Sequence, residues 1–173
     1  RKKDMATKPL SMKQRVEALE DARAKAVIGG GEARLEKQRS SGKLTARDRI
    51  DSLVDADSFQ EVGLFRRNRT VTFGMDTADM PADGVVTGTA TVFGRPVHLA
   101  SQDFTVMGGS AGETHSIKVV QMMQGALENG TPFVFINDSG GARVQEGIDS
   151  LSGYGQVFYA NVLLSGGVPQ ISI

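Results

Sequence analysis

The pattern of apolar and polar positions predicts three short helices in the first third of the chain. Apolar residues recur at helical spacing from Val16 to Ala26, after Ser11 and Gln14 at the spacing of a capping box. A second helix is predicted at 32–39, and a third begins at Thr45. Because these helices are amphipathic and strongly charged, we expect them to wrap a core that other elements supply.

From Phe59 onward the pattern changes to that of strands. The segment 66–83, rich in arginine, aspartate and glycine, is predicted to be a long loop. β-forming residues then fill 85–93, a turn is predicted at 94–96, and an apolar strand returns at 97–100. We interpret this segment as a β-hairpin.

Two units of strand, glycine-rich turn and helix follow the hairpin. In the first unit, Ser110 and Glu113 have capping-box spacing, and the predicted apolar helix face carries Ile117, Val120, Met123 and Leu127. The second unit has an apolar run at 133–136, a glycine pair at 140–141 and a helix to about Leu164, whose apolar positions are Val144, Ile148, Leu151, Phe158 and Val162.

The alternation of strand and helix predicts parallel strands joined by right-handed crossovers, hence an α/β fold. A new apolar strand begins at Pro169, and the last residues have the pattern of the middle of a buried strand. We therefore expect the chain to be the N-terminal part of a longer protein.

Composition narrows the possible chemistry. The chain has no cysteine and only two histidines, so neither a thiolate nucleophile nor a histidine-rich metal centre is expected, and no metal is predicted. No apolar run approaches the ~20 residues of a membrane helix, and the basic N-terminus lacks the apolar core of a secretory signal. These features favour a cytoplasmic location, either bacterial cytosol or mitochondrial matrix.

Charge is distributed unevenly although the chain is neutral overall. Residues 1–50 hold 14 Lys and Arg against 7 Asp and Glu, whereas residues 51–173 hold 6 against 13. We name residues 1–57 the N-terminal arm. Its basic surface is suited to phosphates or an acidic partner, or is simply a solvated helical surface.

The first glycine-rich turn contains Gly108, Gly109 and Ser110. Such a turn at a helix N-terminus can hold a phosphate group. It lacks the Gly-Lys-Ser/Thr ending of a nucleotide-hydrolysing loop, so nucleotide hydrolysis is not expected. A plain turn with a helix cap explains the same residues.

The second glycine-rich turn is the main candidate for catalysis, because backbone N–H groups beside it can hold a developing negative charge. Its sequence D-S-G-G at 138–141 also surrounds the nucleophile of trypsin-like proteases. Those enzymes need a double β-barrel, an upstream histidine and usually disulfides, which argues against Ser139 as a nucleophile. Asp138 is predicted to cap the turn. Glu146 and Asp149 are predicted to lie in the first turns of the helix that follows.

Five sequence segments together resemble the carboxyltransferase subunits of biotin-dependent acyl-CoA carboxylases. They are G-K-L-T-A-R-D-R at 42–49, P-A-D-G-V-V-T-G at 81–88, S-Q-D-F-T-V-M-G-G-S at 101–110, N-D-S-G-G-A-R-V-Q-E-G at 137–147 and V-P-Q-I-S at 168–172. The chain is most similar to propionyl-CoA carboxylase beta subunits and the core subunit of methylmalonyl-CoA transcarboxylase. The likeness runs from about residue 12 to the end.

The resemblance implies a crotonase-type fold of repeated ββα units, of which residues 58–173 are the first part. It implies carboxyl transfer between carboxybiotin and the α-carbon of a short acyl-CoA, through an enolate held by the backbone amides of Gly141 and Ala142. The other amide donor, in a glycine pair after the next strand, and the biotin-binding domain would lie beyond residue 173, so we expect the isolated chain to be inactive.

The same resemblance implies the partners. They are a biotin carboxyl carrier domain, a biotin carboxylase or a second carboxyltransferase subunit, and further copies of the chain in a homo-oligomer, a hexamer in this family. No nucleic acid or membrane partner is expected. On the arm, Arg39 and Lys43 flank a Ser-Ser-Gly turn and are predicted, with Gly108, Gly109 and Ser110, to contact coenzyme A.

Two other classes of function stay open from the sequence. One is a different crotonase-type reaction on acyl-CoA, such as decarboxylation or hydration. The other is a non-catalytic segment that binds coenzyme A or a subunit surface.

Overall fold

A computed structural model describes residues 10–173 of the chain, and the part of the N-terminal arm at residues 1–9 lies outside the described residues. One five-stranded sheet carries helices on both faces. The elements in chain order are α1 (Met12–Val27), α2 (Glu32–Ser40), α3 (Ala46–Leu53), β1 (Gln60–Val62), β2 (Val85–Val92), β3 (Arg95–Gln102), α4 (Glu113–Asn129), β4 (Phe133–Ile136), α5 (Ile148–Leu164) and β5 (Gln170–Ser172).

The strands lie in the sheet in chain order, β1-β2-β3-β4-β5. β1 pairs with β2 and β2 with β3 in antiparallel fashion, while β3–β4 and β4–β5 are parallel. The predicted hairpin and the predicted parallel pairing through α4 and α5 are therefore confirmed. The returning strand β3 is longer than predicted, β2 ends one residue earlier, and the turn between them contains only Phe93 and Gly94.

The sheet buries both of its faces, as expected for strands that read as continuous apolar runs. On one face, Ile50 of α3 packs with Leu99 and Val134. On the other face, Met123 of α4 and Leu164 of α5 pack with neighbouring strand residues. This confirms that α3 covers a core formed largely by the sheet.

The capping box of Ser11 and Gln14 is present at the start of α1. The apolar side chains of α1 are largely exposed, however, and Ala26 is its buried residue. The helix is joined to the rest of the chain just after its end, where the N–H of Gly30 donates to Thr105 Oγ1 at 3.0 Å. A Cβ on Gly30 would lie 2.0 Å from the carbonyl oxygen of Thr105, so only glycine permits this contact.

The predicted cap of α4 is wrong, whereas part of the predicted apolar face is correct, since Val120 packs against the core. Gly112 is the N-cap residue and supplies no side chain, while Ser110 Oγ donates instead to the carbonyl of Met107 at 2.8 Å. The buried face of α4 includes His115, Lys118, Val119, Met122, Met123 and Ala126. The prediction of Met123 is confirmed, but Leu127 is exposed. The error arose because two polar side chains, His115 and Lys118, occupy the buried face.

The start and the apolar face of α5 also differ from the prediction. A 3-10 turn, Val144–Glu146, separates the glycine pair from the helix, which begins at Ile148. All the predicted face positions are exposed, including Ile148 at 74% and Phe158 at 62%. α5 instead turns small residues inward, and Gly153 lies so close to α4 that a Cβ there would be 2.6 Å from Ser116 Oγ.

Candidate functional site

A cavity of about 500 Å³ opens where β3, β4, α4 and α5 meet the loop that follows β4. The loop, residues 137–143, contains the glycine pair predicted from the sequence. Polar groups from three elements face the cavity, together with apolar residues of the helices. The lining residues include Gln102, His115, Asn137, Asp138, Ser139, Gly141 and Tyr154.

The two glycine-rich turns predicted separately lie against each other. The N–H of Gly140 donates to the carbonyl of Gly108 at 2.9 Å, and Ala111 pairs with Ala142 in a short parallel bridge. Gly109 has a φ of +62°, and a Cβ on it would lie 2.2 Å from the carbonyl oxygen of Asp138. A side chain at position 109 would therefore push the two turns apart.

The two predicted amide donors have different surroundings. The N–H of Gly141 donates to Ser139 Oγ at 3.0 Å, and the φ of Gly141 is +106°. The bridge to Ala111 uses the carbonyl of Gly141 and the N–H of Arg143. Ala142 is half-buried, and no acceptor for its N–H is found within residues 10–173. Neither donor belongs to the N-terminus of α5, contrary to the sequence-based expectation.

Arg143, which follows Ala142 directly, is fully buried and ties the surrounding segments together. Its guanidinium pairs with Asp83 and, at 2.8 Å, with Glu146. It also donates to the carbonyl of Ser110 at 2.6 Å. A buried charge is costly unless it is paired and hydrogen-bonded, and Arg143 meets both conditions.

The same carboxylates cap α4. Glu146 Oε2 accepts the N–H of Glu113 at 2.7 Å, and Asp83 Oδ2 accepts the N–H of His115 at 2.7 Å. These buried carboxylates occupy the positive end of the helix, which the sequence analysis considered as a phosphate site. Glu146 is thus a cap for α4, not a residue of the first turn of α5 as predicted.

Asp83 is carried on a left-handed turn, Pro81–Gly84, in which Ala82 and Asp83 have φ values of 52° and 51°. Left-handed conformations are unfavourable for residues with a Cβ, so other contacts must hold the turn. Lys118 of α4 does so by donating to the carbonyls of Ala82, at 2.8 Å, and Val85. Burial lowers the pKa of Lys118 to about 8.

A second cleft, of about 350 Å³, lies between α2 and the loop after β3. It is lined by Arg34, Lys37 and Lys43 and by the ring of Phe104. Lys43 Nζ lies 5.5 Å from the centre of that ring and 3.7 Å from Asp138 Oδ1. Lys43 therefore connects this cleft, which we call the basic cleft, to the loop of the main cavity.

Of the two basic residues predicted to contact coenzyme A, only Lys43 lines the basic cleft. Arg39 makes a bidentate pair with Asp48 at 3.0 and 3.1 Å. The Arg39 partnership lowers the pKa of Asp48 to about 2.

Sequence reasoning missed several residues that shape the site. Asp83 and Gln102 lie within two of the segments that carry the resemblance, but no pattern gave them a role, and only the fold brings both of them to His115. Arg34 and Lys37 were visible as part of the basic arm, but only the fold places them beside Phe104.

Within the described chain, from Leu10 to Ile173, no group of three or more His, Asp or Glu side chains is arranged to hold a metal ion. No helix in that range has the length and apolarity needed to cross a membrane.

Comparisons with known proteins agree with the resemblance found in the sequence. A family model described as "Carboxyl transferase domain" matches residues 37–173. The chain is 66% identical over 163 residues to the methylmalonyl-CoA carboxyltransferase 12S subunit of Propionibacterium freudenreichii subsp. shermanii, covering 94% of this chain and 31% of that protein. It is 54% identical over 162 residues to the propionyl-CoA carboxylase beta chain of Roseobacter denitrificans, covering 94% and 32%.

Among solved structures, a transcarboxylase 12S crystal structure with methylmalonyl-coenzyme A and methylmalonic acid bound matches with a TM-score of 0.92 and 64% identity. The match covers 95% of this chain and 32% of that one. The crotonase-type α/β fold implied by the resemblance is thus confirmed. The chain spans about a third of the length of the curated relatives it matches.

Proposed function

The chain belongs to the carboxyl transferase family, and on that premise we propose that its protein transfers a carboxyl group between biotin and a short acyl-CoA. The substrates that this proposal favours are propionyl-CoA and methylmalonyl-CoA, because the relatives at 66% and 54% identity are named for them. The segment described here would bind the acyl-CoA and hold the enolate form of its thioester.

The observation that carries the proposal is the amide of Ala142. It is a half-buried backbone donor without an acceptor in the part of the chain described, and the cavity is lined by its neighbour Gly141 and its bridge partner Ala111. The flanking peptides are fixed by the bridge to Ala111, so the donor is held in place before any ligand arrives. A preorganised donor of this kind lowers the barrier by about 2.7–4 kcal/mol when a carbonyl oxygen becomes an oxyanion.

The amide of Gly141 is the second donor of the proposed site. It is held by Ser139 Oγ, a hydroxyl that can rotate and release it. Because Gly141 has no Cβ, a thioester can approach the two peptides closely.

The proton chemistry of the cavity also fits carboxyl transfer. Three of its described lining residues are ionisable, namely His115, Asp138 and Tyr154. His115 is neutral because burial lowers its pKa to about 3, Asp138 pairs with Arg49, and burial raises the pKa of Tyr154. None of these is a free base near neutral pH. When biotin is bound, its ureido group supplies both the carboxyl group and a base for the α-proton.

The basic cleft is proposed to receive the nucleotide end of coenzyme A. Its three cations suit phosphate groups, and the exposed ring of Phe104 offers a face for an adenine base. Lys43 sits between this cleft and Asp138, so a ligand that spans both would pass the side chain of Lys43. Gly108, Gly109 and Ser110 would act mainly by shaping the loop that receives the thioester.

The partners of the whole protein are proposals of the same kind. We expect a biotin carrier domain as carboxyl donor or acceptor, with a biotin carboxylase or second carboxyltransferase subunit, in bacterial cytosol or mitochondrial matrix. We also expect a homo-oligomer. The exposed apolar side chains of α5 form a surface that the rest of the protein or another copy would cover.

A direct test uses the full-length protein, propionyl-CoA and a biotin carrier labelled in its carboxyl group. The proposal predicts labelled methylmalonyl-CoA, and in reverse the transfer of label from methylmalonyl-CoA to the carrier. Binding of acyl-CoA without transfer would indicate a non-catalytic role. Release of carbon dioxide after transfer to the carrier would indicate a decarboxylase that shares the same first half-reaction.

A further inference from the structure

His115 lies at the wall of the main cavity, yet both of its ring nitrogens are occupied by the protein. Nδ1 is 3.0 Å from the carbonyl oxygen of Asp83, and Nε2 is 3.3 Å from the amide nitrogen of Gln102. Since a carbonyl oxygen only accepts hydrogen bonds, Nδ1 must carry the hydrogen, and Nε2 accepts from Gln102. The surroundings therefore select one tautomer of the neutral ring.

Gln102 extends this line of hydrogen bonds to the loop. Its Oε1 accepts the N–H of Asp138 at 3.1 Å. The bonds run in one direction, from Asp138 through Gln102 and His115 to the carbonyl of Asp83, and we call this line the relay. Aligned hydrogen bonds in a buried site reinforce each other, and Gln102 and His115 are both buried.

The relay fixes one end of the loop that carries the proposed oxygen site. Asp138 stands immediately before Ser139, and its N–H is held by Gln102. The other end is fixed at Arg143, whose N–H donates to the carbonyl of Ala111 at 2.9 Å. Gly141 and Ala142 lie between these two anchors, and the N–H of Gly140 and the carbonyl of Gly141 are held by Gly108 and Ala111 as well. Releasing the relay removes one of the supports that set the position of the two amides.

Burial, more than the surrounding charges, keeps the ring of His115 neutral. Asp83 faces it from the left-handed turn, Lys118 lies one turn along α4, and Arg143 faces it from the loop. Burial lowers its pKa, and the positive charges of Arg143 and Lys118 act in the same direction. The ring therefore has neither a free nitrogen nor the basicity to take a proton from a substrate.

We propose that His115 and Gln102 are positioning residues that set the place of the Gly141 and Ala142 amides and carry no proton in the reaction. This inference rests on the proposed function in treating those amides as the oxygen site. The relay uses the backbone N–H of Asp138, whereas the basic cleft meets Asp138 at its carboxylate, through Lys43. Breaking the relay should therefore affect turnover more than the binding of acyl-CoA.

The first test compares Gln102→Leu with the wild type in the full-length enzyme. The variant breaks the relay. We expect kcat to fall about 100-fold, because a misplacement of a reacting group by about 1 Å typically costs that much. KM for acyl-CoA should be unchanged. His98→Gln is the matched control, because His98 Nδ1 contacts Thr131 Oγ1 at 2.7 Å outside the cavity. That control should keep the wild-type kcat.

Hydrogen–deuterium exchange of the peptide covering 133–143 reports how firmly the loop is held, and it does so independently of enzyme activity. Exchange should be faster in Gln102→Leu than in the wild type and in His98→Gln. If the wild type transfers no carboxyl group, the proposed function fails, but the exchange data still decide whether Gln102 holds the loop.

Gln102→Glu gives a sharper test, and a second variant should Gln102→Leu fail to fold. A carboxylate at this position accepts the N–H of Asp138 but cannot donate to His115 Nε2. The relay re-forms only when the pair of side chains takes up one extra proton. The kcat of Gln102→Glu should therefore fall as pH rises, whereas the wild-type profile shows no such step.

Two results would overturn the inference. One is an unchanged kcat and an unchanged rate of loop exchange in both variants at position 102. The other is a wild-type kcat that falls in acid with a midpoint that His115→Gln removes, because that would make His115 a proton carrier.

Discussion

Glu146 caps a helix to which it does not belong, since its Oε2 accepts the backbone N–H of Glu113, the first residue of α4, at 2.7 Å. Its Oε1 is paired with Arg143 at 2.8 Å. One carboxylate thus joins the start of α4 to the segment that carries the proposed oxygen site. The contact leaves no room for a side chain on Gly112, where a Cβ would lie 2.3 Å from Glu146 Oε1.

Gly112→Ala should therefore lower the free energy of unfolding by about 1–3 kcal/mol, the usual cost of overpacking a buried contact. Gly155→Ala is the matched control, because it lies within α5 and a Cβ there meets no atom within 4 Å. Replacing a helical glycine with alanine in open space should instead stabilise by up to about 1 kcal/mol. Urea unfolding followed by circular dichroism measures the free energy of unfolding of both variants. Equal changes in that free energy would argue against the Glu146 contact.

Because the pKa of Lys118 is lowered in the folded protein, the free energy of unfolding should depend on pH. This pKa is lowered by burial from 10.5 to about 8, so between these values the unfolded chain binds more protons than the folded chain. The contribution of Lys118 to the free energy of unfolding should then rise as pH increases from about 8 to 10.5.

Lys118→Met isolates this contribution, since the other lysines titrate alike in both proteins. The difference in stability between wild type and Lys118→Met should shift in favour of the wild type between pH 7 and pH 10, measured by urea unfolding. The uncharged amine can still donate to Ala82 and Val85, which is why the wild type gains. A constant difference would show that Lys118 titrates normally.

The sequence predicted those features whose causes are local. The hairpin and the buried strand before Asn137 follow from residues that are neighbours in the chain. The α4 face was only partly predicted because His115 and Lys118 find partners in the turn Pro81–Gly84, more than 30 residues away. The α5 face was wrong because Gly153 and Ala160, not its large apolar residues, are buried.

In the candidate site too, features with local causes were predicted and features that depend on distant residues were not. The glycine pair was recognisable from the sequence, but the start of α5 was not, because Gly147 and the turn Val144–Glu146 intervene. Arg143, Asp83 and Glu146 form a buried charge cluster that depends on contacts across 60 residues. No periodicity in a sequence records such a contact.

The basic residues of the arm should differ in their effect on acyl-CoA binding, because Lys37 and Lys43 line the basic cleft and Arg39 does not. In the full-length enzyme, Lys37→Ala combined with Lys43→Ala should raise KM for acyl-CoA several-fold with little change in kcat, because binding is lost equally in ground and transition states. Arg39→Ala is the control, because Arg39 is paired with Asp48 outside the cleft and should leave KM unchanged. The rise in KM should shrink at high salt. A larger effect of Arg39→Ala would restore the sequence-based prediction for that residue.

The central claim is that backbone amides, not a serine nucleophile, perform the chemistry at the loop 137–143. Gly141 has a φ of +106°, which a β-branched residue cannot adopt without strain, so Gly141→Val should tilt or block both donors. Ser139→Ala removes only the hydroxyl that holds the Gly141 amide at rest.

The most direct measurement is kcat for carboxyl transfer by these two variants of the full-length enzyme, with circular dichroism showing that both are folded. The account predicts a fall of at least about 100-fold for Gly141→Val, as for the loss of an oxyanion donor, and a much smaller change for Ser139→Ala. A folded Ser139→Ala variant that is less active than Gly141→Val would contradict it.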